Sequence, residues 1–574
     1  MSVEPLVEPL IEPALIAPKV EPGPADSESV GVGLARATTI LAVANVASRV
    51  LGFAKEIMLS NFFGAGRQVD AFQIAITIPQ DLYDLAISGH INSALVPALS
   101  EYAVKDRAEL WQLVSALLGL VILGTSGLVL FLEIFAARVI MFYRGVPGTG
   151  PTAEIFNAVV WLSASMSKSE AIAKFSVDAF NISVQLMRLT APALIFMSLF
   201  AIFSGMLYAL KRFTWPAFGA ALFNGTILVM MVIFAPKIGI EAAAIGWVLG
   251  AVAQLGLQFG GLRGTHLRLR MRGILTHPGV RRIGILYLPV LLSLIVDVLI
   301  NRPFSYNMAS QSGDGNIAYM NWATSLREFP MGLVGTAISV AILPTLARQA
   351  LKTEALQDFK DTLGHGVRLA LTLIIPATVG MFVLTGPLIG LIFEHGAFTS
   401  ANTEIMSKVL RLYLLGIPFA AIDLLLIFAF YARKDSLTPA LVGIVSLGCY
   451  IAIAVILQPI FGFFSLMIAD SAKHLIHMTI SLILLRRRLG GFGNQHLPIT
   501  VLKVGLATLA MALVTYALAR SAVEIWPVQA LRERLLLVMV PSVLGAATYF
   551  LLASLLKLNE FTLFLKVLTR RIRR

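Results

Sequence analysis

Apolar runs cut by short polar breaks follow one another from residue 36 to residue 556. A helix needs roughly 20 such residues to cross the hydrocarbon core of a bilayer. Fourteen spans of about that length are predicted, at 36–62, 70–98, 112–135, 184–210, 215–235, 241–262, 284–309, 317–345, 363–394, 405–431, 437–457, 463–485, 499–520 and 533–556. One further apolar stretch, 152–166, is not counted, because the polar segment from Ser163 to Lys174 breaks it early. Counting it would also reverse the side of every later loop. Residues 146–183 are read instead as an extracytoplasmic excursion with room for a short helix on the interface. The pattern predicts an all-α polytopic membrane protein.

Composition agrees. Of 574 residues 57% are hydrophobic and only 13% charged, and the mean hydropathy of +0.83 lies outside the soluble range. The net charge of +13 would elsewhere suggest nucleic acid. Here the basic residues gather in short breaks between apolar runs: Lys211-Arg212, Arg263 to Arg282, Arg433-Lys434 and Arg486-Arg487-Arg488. These fall on one side when spans are counted off, which makes that side cytoplasmic and places both termini there. The end of the chain, with Arg570, Arg571, Arg573 and Arg574 after Phe561, Phe564, Leu565 and Leu568, has the pattern of a basic interfacial helix. The start repeats Glu4-Pro5, Glu8-Pro9, Glu12-Pro13 and Glu21-Pro22, a density of proline that predicts a disordered acidic tail. The lone cysteine, Cys449, excludes disulfides and cysteine-based metal sites within one chain.

An internal repeat gives the architecture. Tyr208-Ala209-Leu210-Lys211 with Pro216-Ala217 returns as Tyr431-Ala432-Arg433-Lys434 with Pro439-Ala440, at a constant offset (431 − 208 = 223). Gly239 and Gly462 share that offset, while Pro97-Ala98-Leu99 matches Pro344-Thr345-Leu346 at a larger one (344 − 97 = 247). The difference places the extra residues of the first half around 146–183. Corresponding segments lie six spans apart on the same side, so the repeats run parallel. The division expected is a tail over 1–30, a first six-helix lobe over 31–262 and a basic cytoplasmic linker over 263–283. A second pseudo-symmetric six-helix lobe over 284–485, two added helices over 486–556 and a basic amphipathic tail over 557–574 complete it. Two-lobed repeats around a central cavity suit alternating-access transport.

Charges inside the spans mark candidate chemistry, since a charge facing lipid costs several kcal/mol. The first span carries Arg49, Lys55 and Glu56 in the run Ser48-Arg49-Val50-Leu51-Gly52-Phe53-Ala54-Lys55-Glu56. They either face a polar cavity, or Lys55 and Glu56 snorkel from a helix end and bridge neighbours; Arg49 lies too deep to snorkel. In the seventh span Arg302 follows Asp297, and either bridges it within one helix or meets a ligand. Asp470, Lys473, His474 and His477 share one face of the twelfth span at i, i+3, i+4 and i+7. That face is open to three readings, a metal site, which Lys473 disfavours, a proton or ion relay, or a satisfied polar patch; Asp423 in the tenth span has the same three. The polar stretch Tyr431 to Pro439 is read as a structural hinge, with Asp435 or Ser436 capping the helix that starts at Thr438-Pro439.

The motifs in order resemble one family. The run Ser48 to Glu56, then Phe63-Gly64-Ala65-Gly66 and Asp70-Ala71-Phe72, resembles the opening of the MurJ/MviN lipid II flippases of the multidrug/oligosaccharidyl-lipid/polysaccharide exporter superfamily. Val96 to Tyr102, Lys211 to Phe218, Glu328-Phe329-Pro330, Phe393 to Thr399 and Phe430 to Pro439 continue the likeness over about residues 36–560. The resemblance implies that Arg49, Lys55 (where arginine is usual), Glu56 and Asp70 occupy family cavity positions. It also implies a cationic cavity for a diphosphate, which Arg binds in bidentate fashion and Lys as a point charge. The chain departs from the pattern at three places. The arginine pair usual after Ile78-Pro79 is Tyr83-Asp84, the acidic residue four further on is Ser88, and the eighth-span arginine is Ser325, with Arg327 two residues later. Two residues turn a helix by about 200°, so Arg327 is expected to point elsewhere. Asp81, Asp84 and Ser88 form a polar, acidic stripe that would repel a diphosphate.

The reading implied is a flippase in a bacterial inner membrane, a transporter with no cofactor and no nucleic-acid partner. Its expected partners are lipid II or a similar polyprenyl-diphosphate lipid, membrane lipids, and cell-wall synthesis proteins. Substrate contacts are expected from Arg49, Lys55, Glu56, Asp70, Arg302 and Arg327, and an ion relay, if present, from Asp297, Asp423, Asp470, His474 and His477. The alternatives are a paralogue moving another polyprenyl-linked glycan or amphiphile, a transport-dead scaffold docking through its Glu-Pro tail, and a membrane glycosyltransferase. The last would need a well-equipped extracytoplasmic loop, which 146–183 is not.

Overall fold

A computed structural model of the chain describes residues 24–86, 95–105, 107–144, 177–265, 278–280, 283, 295–492, 495–525, 530–558 and 560. Helix is found within every one of the fourteen expected spans. The first half contributes α1 (Pro24–Phe63), α2 (Arg67–Ala86), α3 (Val96–Lys105), α4 (Arg107–Arg144), α5 (Val177–Thr190), α6 (Ala193–Ala209), α7 (Gly219–Ile238) and α8 (Glu241–Leu262). The second contributes α9 (Arg302–Gln311), α10 (Asn316–Pro330), α11 (Ala337–Ala350), α12 (Leu356–Val383), α13 (Thr385–Ile392), α14 (Ser400–Leu414), α15 (Ile417–Ala432), α16 (Leu437–Phe461) and α17 (Ser465–Leu489). Then follow α18 (Leu497–Ile525) and α19 (Leu531–Leu555). Nine helical stretches among the described residues are each long and apolar enough to cross a membrane.

Proline places the breaks. The expected eighth span is a pair, Asn316–Pro330 and Val334–Ala350, bent by 45°. Pro330 removes an amide there, and the wide turn Met331–Thr336 takes up the slack. A similar wide turn, Asp297–Asn301, precedes Arg302-Pro303. Pro192 separates α5 from α6. Helix α1 starts at Pro24, earlier than the expected end of the tail at 30, because proline fits the first helical position. Residues 1–23 of the acidic tail, 146–176 of the excursion, most of the basic linker and 561–574 of the basic C-terminal tail lie outside the described residues, as does Ser88. The last part of the expected excursion, from Val177, is already helix α5, packed on α2.

The repeat is written into the backbone. Lys211 and Lys434, at the offset of 223 (434 − 211), both take the left-handed conformation, with φ of 58° and 60°. The Arg212 amide donates to the Leu207 carbonyl at 2.8 Å, and the Asp435 amide donates to Phe430 at 3.0 Å, the same bond 223 residues on (435 − 212). Gly239 and Gly462, which end α7 and α16, have φ of 65° and 54°. Each half therefore uses the same helix-ending turns, and each keeps its own close-packed pair, α7 with α8 and α16 with α17. Small residues allow this approach: a Cβ on Gly250 of α8 would lie 2.9 Å from the Phe223 carbonyl oxygen of α7. Helices α18 and α19 pack on α12 and α13 of the second half, where the Tyr549 hydroxyl donates to the Thr372 carbonyl at 2.6 Å.

The basic loops gather at one end of the bundle, the basic end; Gly64, Gly315 and Gly396 mark the opposite end. At the basic end Asp435, rather than Ser436, caps α16, accepting from the Thr438 amide at 3.0 Å, and it is ion-paired with Arg488. Partial burial alone would raise the Asp435 carboxyl, but the Thr438 amide and hydroxyl and the Arg488 guanidinium outweigh it and hold it below the usual carboxylate range. A group lowered on folding stabilises fully above its unfolded value, and that stability is lost as pH falls through the folded value. The melting-temperature gap between wild type and Asp435→Asn should therefore be open at neutral pH and close in acid below the ordinary carboxylate range. A gap that stays constant with pH would refute the assignment.

Candidate functional site

Helix α1 runs between the two halves, and its exposure falls along its length. Val43, Val46 and Val50 are exposed while Leu59 and Ser60 are buried, so the halves converge on its C-terminal end. That convergence is made by backbone. The Ala397 amide donates to the Asn61 carbonyl at 2.8 Å, and a Cβ on Gly396 would sit 2.2 Å from the same oxygen. A Cβ on Gly315, at φ +84°, would sit 2.7 Å from the Ala65 carbonyl oxygen. Glycine is required at both positions because only it combines a left-handed backbone with so near a neighbour.

Asp70 completes this seal. Its buried carboxylate accepts from the Gly315 amide at 2.6 Å and the Ala318 amide at 2.9 Å, capping the N-terminus of α10 from across the interface. A carboxylate on the free amides and positive dipole end of a helix is a strong pairing. Arg67 and Asp314 add an ion pair at 3.0 Å on the rim. Asp70 thus serves the joint between the halves.

One to two turns deeper lies a polar cluster around Glu56. Lys55 pairs with Glu56 at 2.9 Å, and its ammonium stands 5.6 Å from the Trp247 ring centre. Glu56 also accepts from the Trp322 indole of α10 at 2.9 Å and from Gln73 of α2 at 3.5 Å. Phe53 packs edge-on against Phe329 and Phe393. Further from the seal, Arg49 is exposed and makes no ion pair or hydrogen bond among the described residues. Its guanidinium lies 3.4 Å from where Gly332, in the wide turn of the opposite half, would carry a Cβ. A free guanidinium between the halves, with no anion of its own, is a binding group for an external anion.

The acidic stripe of α2 is neutralised from the other half. Arg302 pairs with Asp81 at 3.1 Å and with Asp297 at 3.5 Å, so the expected Arg302–Asp297 bridge exists but the nearer contact crosses the interface. The Asp81 carboxylate, almost fully buried, also accepts from the Tyr143 hydroxyl at 3.3 Å, while Asp84 accepts from Gln80. Asp81 is therefore not presented to a ligand, and Arg302 is partly spent on it.

Arg327 points away from α1, into the second half, as the 200° turn implies. There it is ion-paired with Asp470 and stacks over Tyr413, 4.7 Å from the ring centre. Asp470 also pairs with Lys473 at 2.8 Å and lies 3.8 Å from His474, while His477 meets Asp423 at 2.6 Å. The structure thus brings Lys55 and Glu56 together, keeps Arg49 apart from them on the same helix against Gly332, puts Asp70 at the seal, Asp297 and Arg302 at the α2 joint, and the rest inside the second half. Trp322, Gln73, Trp247 and the Gly315–Ala65 approach were not singled out by sequence. A lone tryptophan or glutamine within an apolar run was the available signal.

A sequence model of the family described as lipid II flippase MurJ matches residues 59–537. This chain belongs to the lipid II flippase MurJ family. The probable lipid II flippase MurJ of Vibrio cholerae is 30% identical over 501 residues, covering 85% of this chain and 89% of its own. The lipid II flippase MurJ of Burkholderia cenocepacia is 28% identical over 423 residues, 72% and 76% of the two chains. Among solved structures, the MurJ fold in a lipid II flippase described as inward closed superposes with a TM-score of 0.68 at 22% identity, over 90% of this chain and 98% of that one. A multidrug-resistance MATE transporter of the MOP superfamily, described as inward-facing, gives 0.57 at 14% identity, over 78% and 95%. Both likenesses are of fold.

Two outcomes test this MurJ-family interface. Asp70→Ala should speed hydrogen exchange at the Gly315 and Ala318 amides by about tenfold or more, since each loses a charge-assisted bond, while amides at the start of α8 keep their rate. Unchanged exchange at Gly315 and Ala318 would remove Asp70 from the seal. Arg302→Ala leaves Asp81 buried without its cation, a loss of about 3–5 kcal/mol, and adding Asp81→Asn should recover most of the lost thermal stability. A double variant no more stable than Arg302→Ala would show that the pair is not coupled.

Proposed function

We propose that this chain moves lipid II, or a polyprenyl-diphosphate lipid of the same build, across the bacterial inner membrane by alternating access. Family membership supports the class of cargo. The observation on this chain that supports it most directly is Arg49, a guanidinium between the halves with no anion among the described residues. A diphosphate crossing hydrocarbon must be neutralised and hydrogen-bonded, and a free guanidinium backed by Lys55 supplies both.

In this reading the basic end faces the cytoplasm, by the positive-inside rule, and both termini lie there. The seal at Gly64, Asp70, Gly315 and Gly396 then closes the extracytoplasmic end, so Arg49 meets cargo arriving from the cytoplasmic side. Glu56 holds Lys55 in place and lies close enough to release it when an incoming diphosphate competes for the ammonium. Opening outward requires the Asp70–Gly315 and Asn61–Ala397 bonds to break, and water replaces them at modest net cost. Arg302 would join the cargo only by leaving Asp81. The divisions expected at 31–262, 263–283 and 284–485 serve as the two moving bodies and their tether.

Complementation of a conditional lipid II flippase depletion tests the proposal. Wild type should restore growth. Arg49→Ala should lose rescue by about tenfold or more in plating efficiency, the worth of one charge-assisted contact, and Lys55→Ala should be impaired too, both at wild-type expression. Rescue untouched by both substitutions would remove the cationic site. Failure of well-expressed wild type to rescue would move the cargo to another polyprenyl-linked glycan.

A further inference from the structure

Away from the interface, at the basic end, α12, the start of α18 and the end of α19 enclose a polar cavity of about 500 Å³. Its basic lining is His365, Arg368, His496, Lys503 and Lys557, its acidic lining Asp361 and Glu560. The acids are already engaged. Glu560 pairs with Arg368 at 2.6 Å, and Asp361 accepts from Gln495 at 2.7 Å and Gln357 at 3.0 Å. Arg368 is further held by the Gln495 carbonyl at 2.8 Å, and its guanidinium lies 3.4 Å from the His365 ring nitrogen. The side-chain ammonium groups of Lys503 and Lys557, by contrast, have no ion pair or hydrogen bond among the described residues. With Arg368 and Glu560 paired, Lys503 and Lys557 outnumber the one remaining acid, Asp361, so the lining carries surplus positive charge.

His496 lines the cavity at the start of α18 and Lys557 lines it just past the end of α19. Lys557 takes the left-handed backbone of a helix-ending turn, φ 52°, as Lys211 and Lys434 do, with the Leu558 amide donating to the Ala553 carbonyl at 3.0 Å. The outer face of α18 carries exposed Ile499 and Leu502 before Lys503 and exposed Leu506, Leu509 and Leu513 after it. In a spanning helix that stripe meets acyl chains, so the cavity lies at headgroup depth directly beneath a lipid-facing surface.

We propose that this cavity binds the phosphate of an anionic membrane phospholipid, with Lys503 and Lys557 gripping its oxygens, Arg368 fixing the floor and the acyl chains lying along α18. The site is separate from the interface holding Arg49, and its occupant would brace α18 and α19 on α12. It rests on the transmembrane placement of α18, not on the identity of the cargo.

Native mass spectrometry of the full chain in detergent, titrated with phosphatidylglycerol or phosphatidylcholine, reads the site. Wild type should retain one phosphatidylglycerol in preference to phosphatidylcholine. Lys503→Gln/Lys557→Gln should lose that preference by about tenfold or more, the worth of one or two charge-assisted contacts. Lys503→Arg/Lys557→Arg, which keeps the charge, should retain it, as should Arg49→Ala and Lys237→Gln at the opposite end, so failure here is distinguishable from failure of the flippase reading. Equal retention by the glutamine variant overturns the proposal. So does displacement of the lipid by inorganic phosphate, which would make the occupant a soluble anion. Should the double glutamine variant not fold, Lys503→Gln alone decides: a weakened preference supports the site, and an unchanged one overturns it.

Discussion

Every charge placed within an apolar bundle must find an opposite charge, a helix end or water, because an unpaired ion in that medium costs more than any nearby packing contact returns. This constraint organises the molecule. Asp70 takes the amides of Gly315 and Ala318, Asp81 takes Arg302, Asp470 takes Arg327 and Lys473, and Asp423 takes His477. Glu56 takes Lys55 and the Trp322 indole. Once those pairs are drawn, Arg49 stands between the halves with none among the described residues. The site proposed for the cargo lies there.

The pairs also divide the structure into what holds and what moves. Within each half the helix pairs are close-packed, as at Gly250 against Phe223, and the second half is tied further by the Arg327–Asp470 and Asp423–His477 pairs. Across the interface much of the contact is polar: Asn61 with Ala397, Asp70 with Gly315, Gln73 with Asn321 at 3.2 Å, Thr77 with Tyr306 at 3.2 Å, and Arg302 with Asp81. Polar contacts exchange with water at little net cost, whereas buried apolar area does not. Such a joint suits two rigid halves that separate and close again. Glycines 64, 315 and 396 give it register, since their left-handed turns admit one seating of the two backbones.

Much of this was legible in the sequence, and the reason differs by element. The spans and the two-lobed plan follow from apolar run length and from a repeat whose anchors, Lys211 and Lys434 or Gly239 and Gly462, turn out to be conformational equivalents. Arg49, Lys55 and Glu56 stood out because charge within an apolar run is rare. What sequence did not carry was pairing. Asp81 and Asp84 read as an acidic stripe hostile to phosphate, yet Arg302, more than two hundred residues away, neutralises Asp81. The motifs Phe63-Gly64-Ala65-Gly66 and Phe393 to Thr399 marked the family without a task, and only their contact across the interface supplies one. A contact between distant segments leaves no local pattern to read.

The polar face of α17 obeys the same constraint. A carboxylate that is to accept an external cation must be left short of positive charge. Asp470 has Arg327 and Lys473 within ion-pair distance and His474 at 3.8 Å. Lys473 in turn stands 5.3 Å from the Tyr450 ring centre, and Arg327 over Tyr413, so both cations are held by aromatic faces as well as by the carboxylate. Any cation arriving at Asp470 would have to displace one of these and leave it buried without its anion, at a cost comparable to the binding gained. Asp423 of α15 and His477 of α17 form a second pair on this face, at 2.6 Å. The two pairs together tie α17 to its neighbours, Asp470 to α10 through Arg327 and His477 to α15 through Asp423.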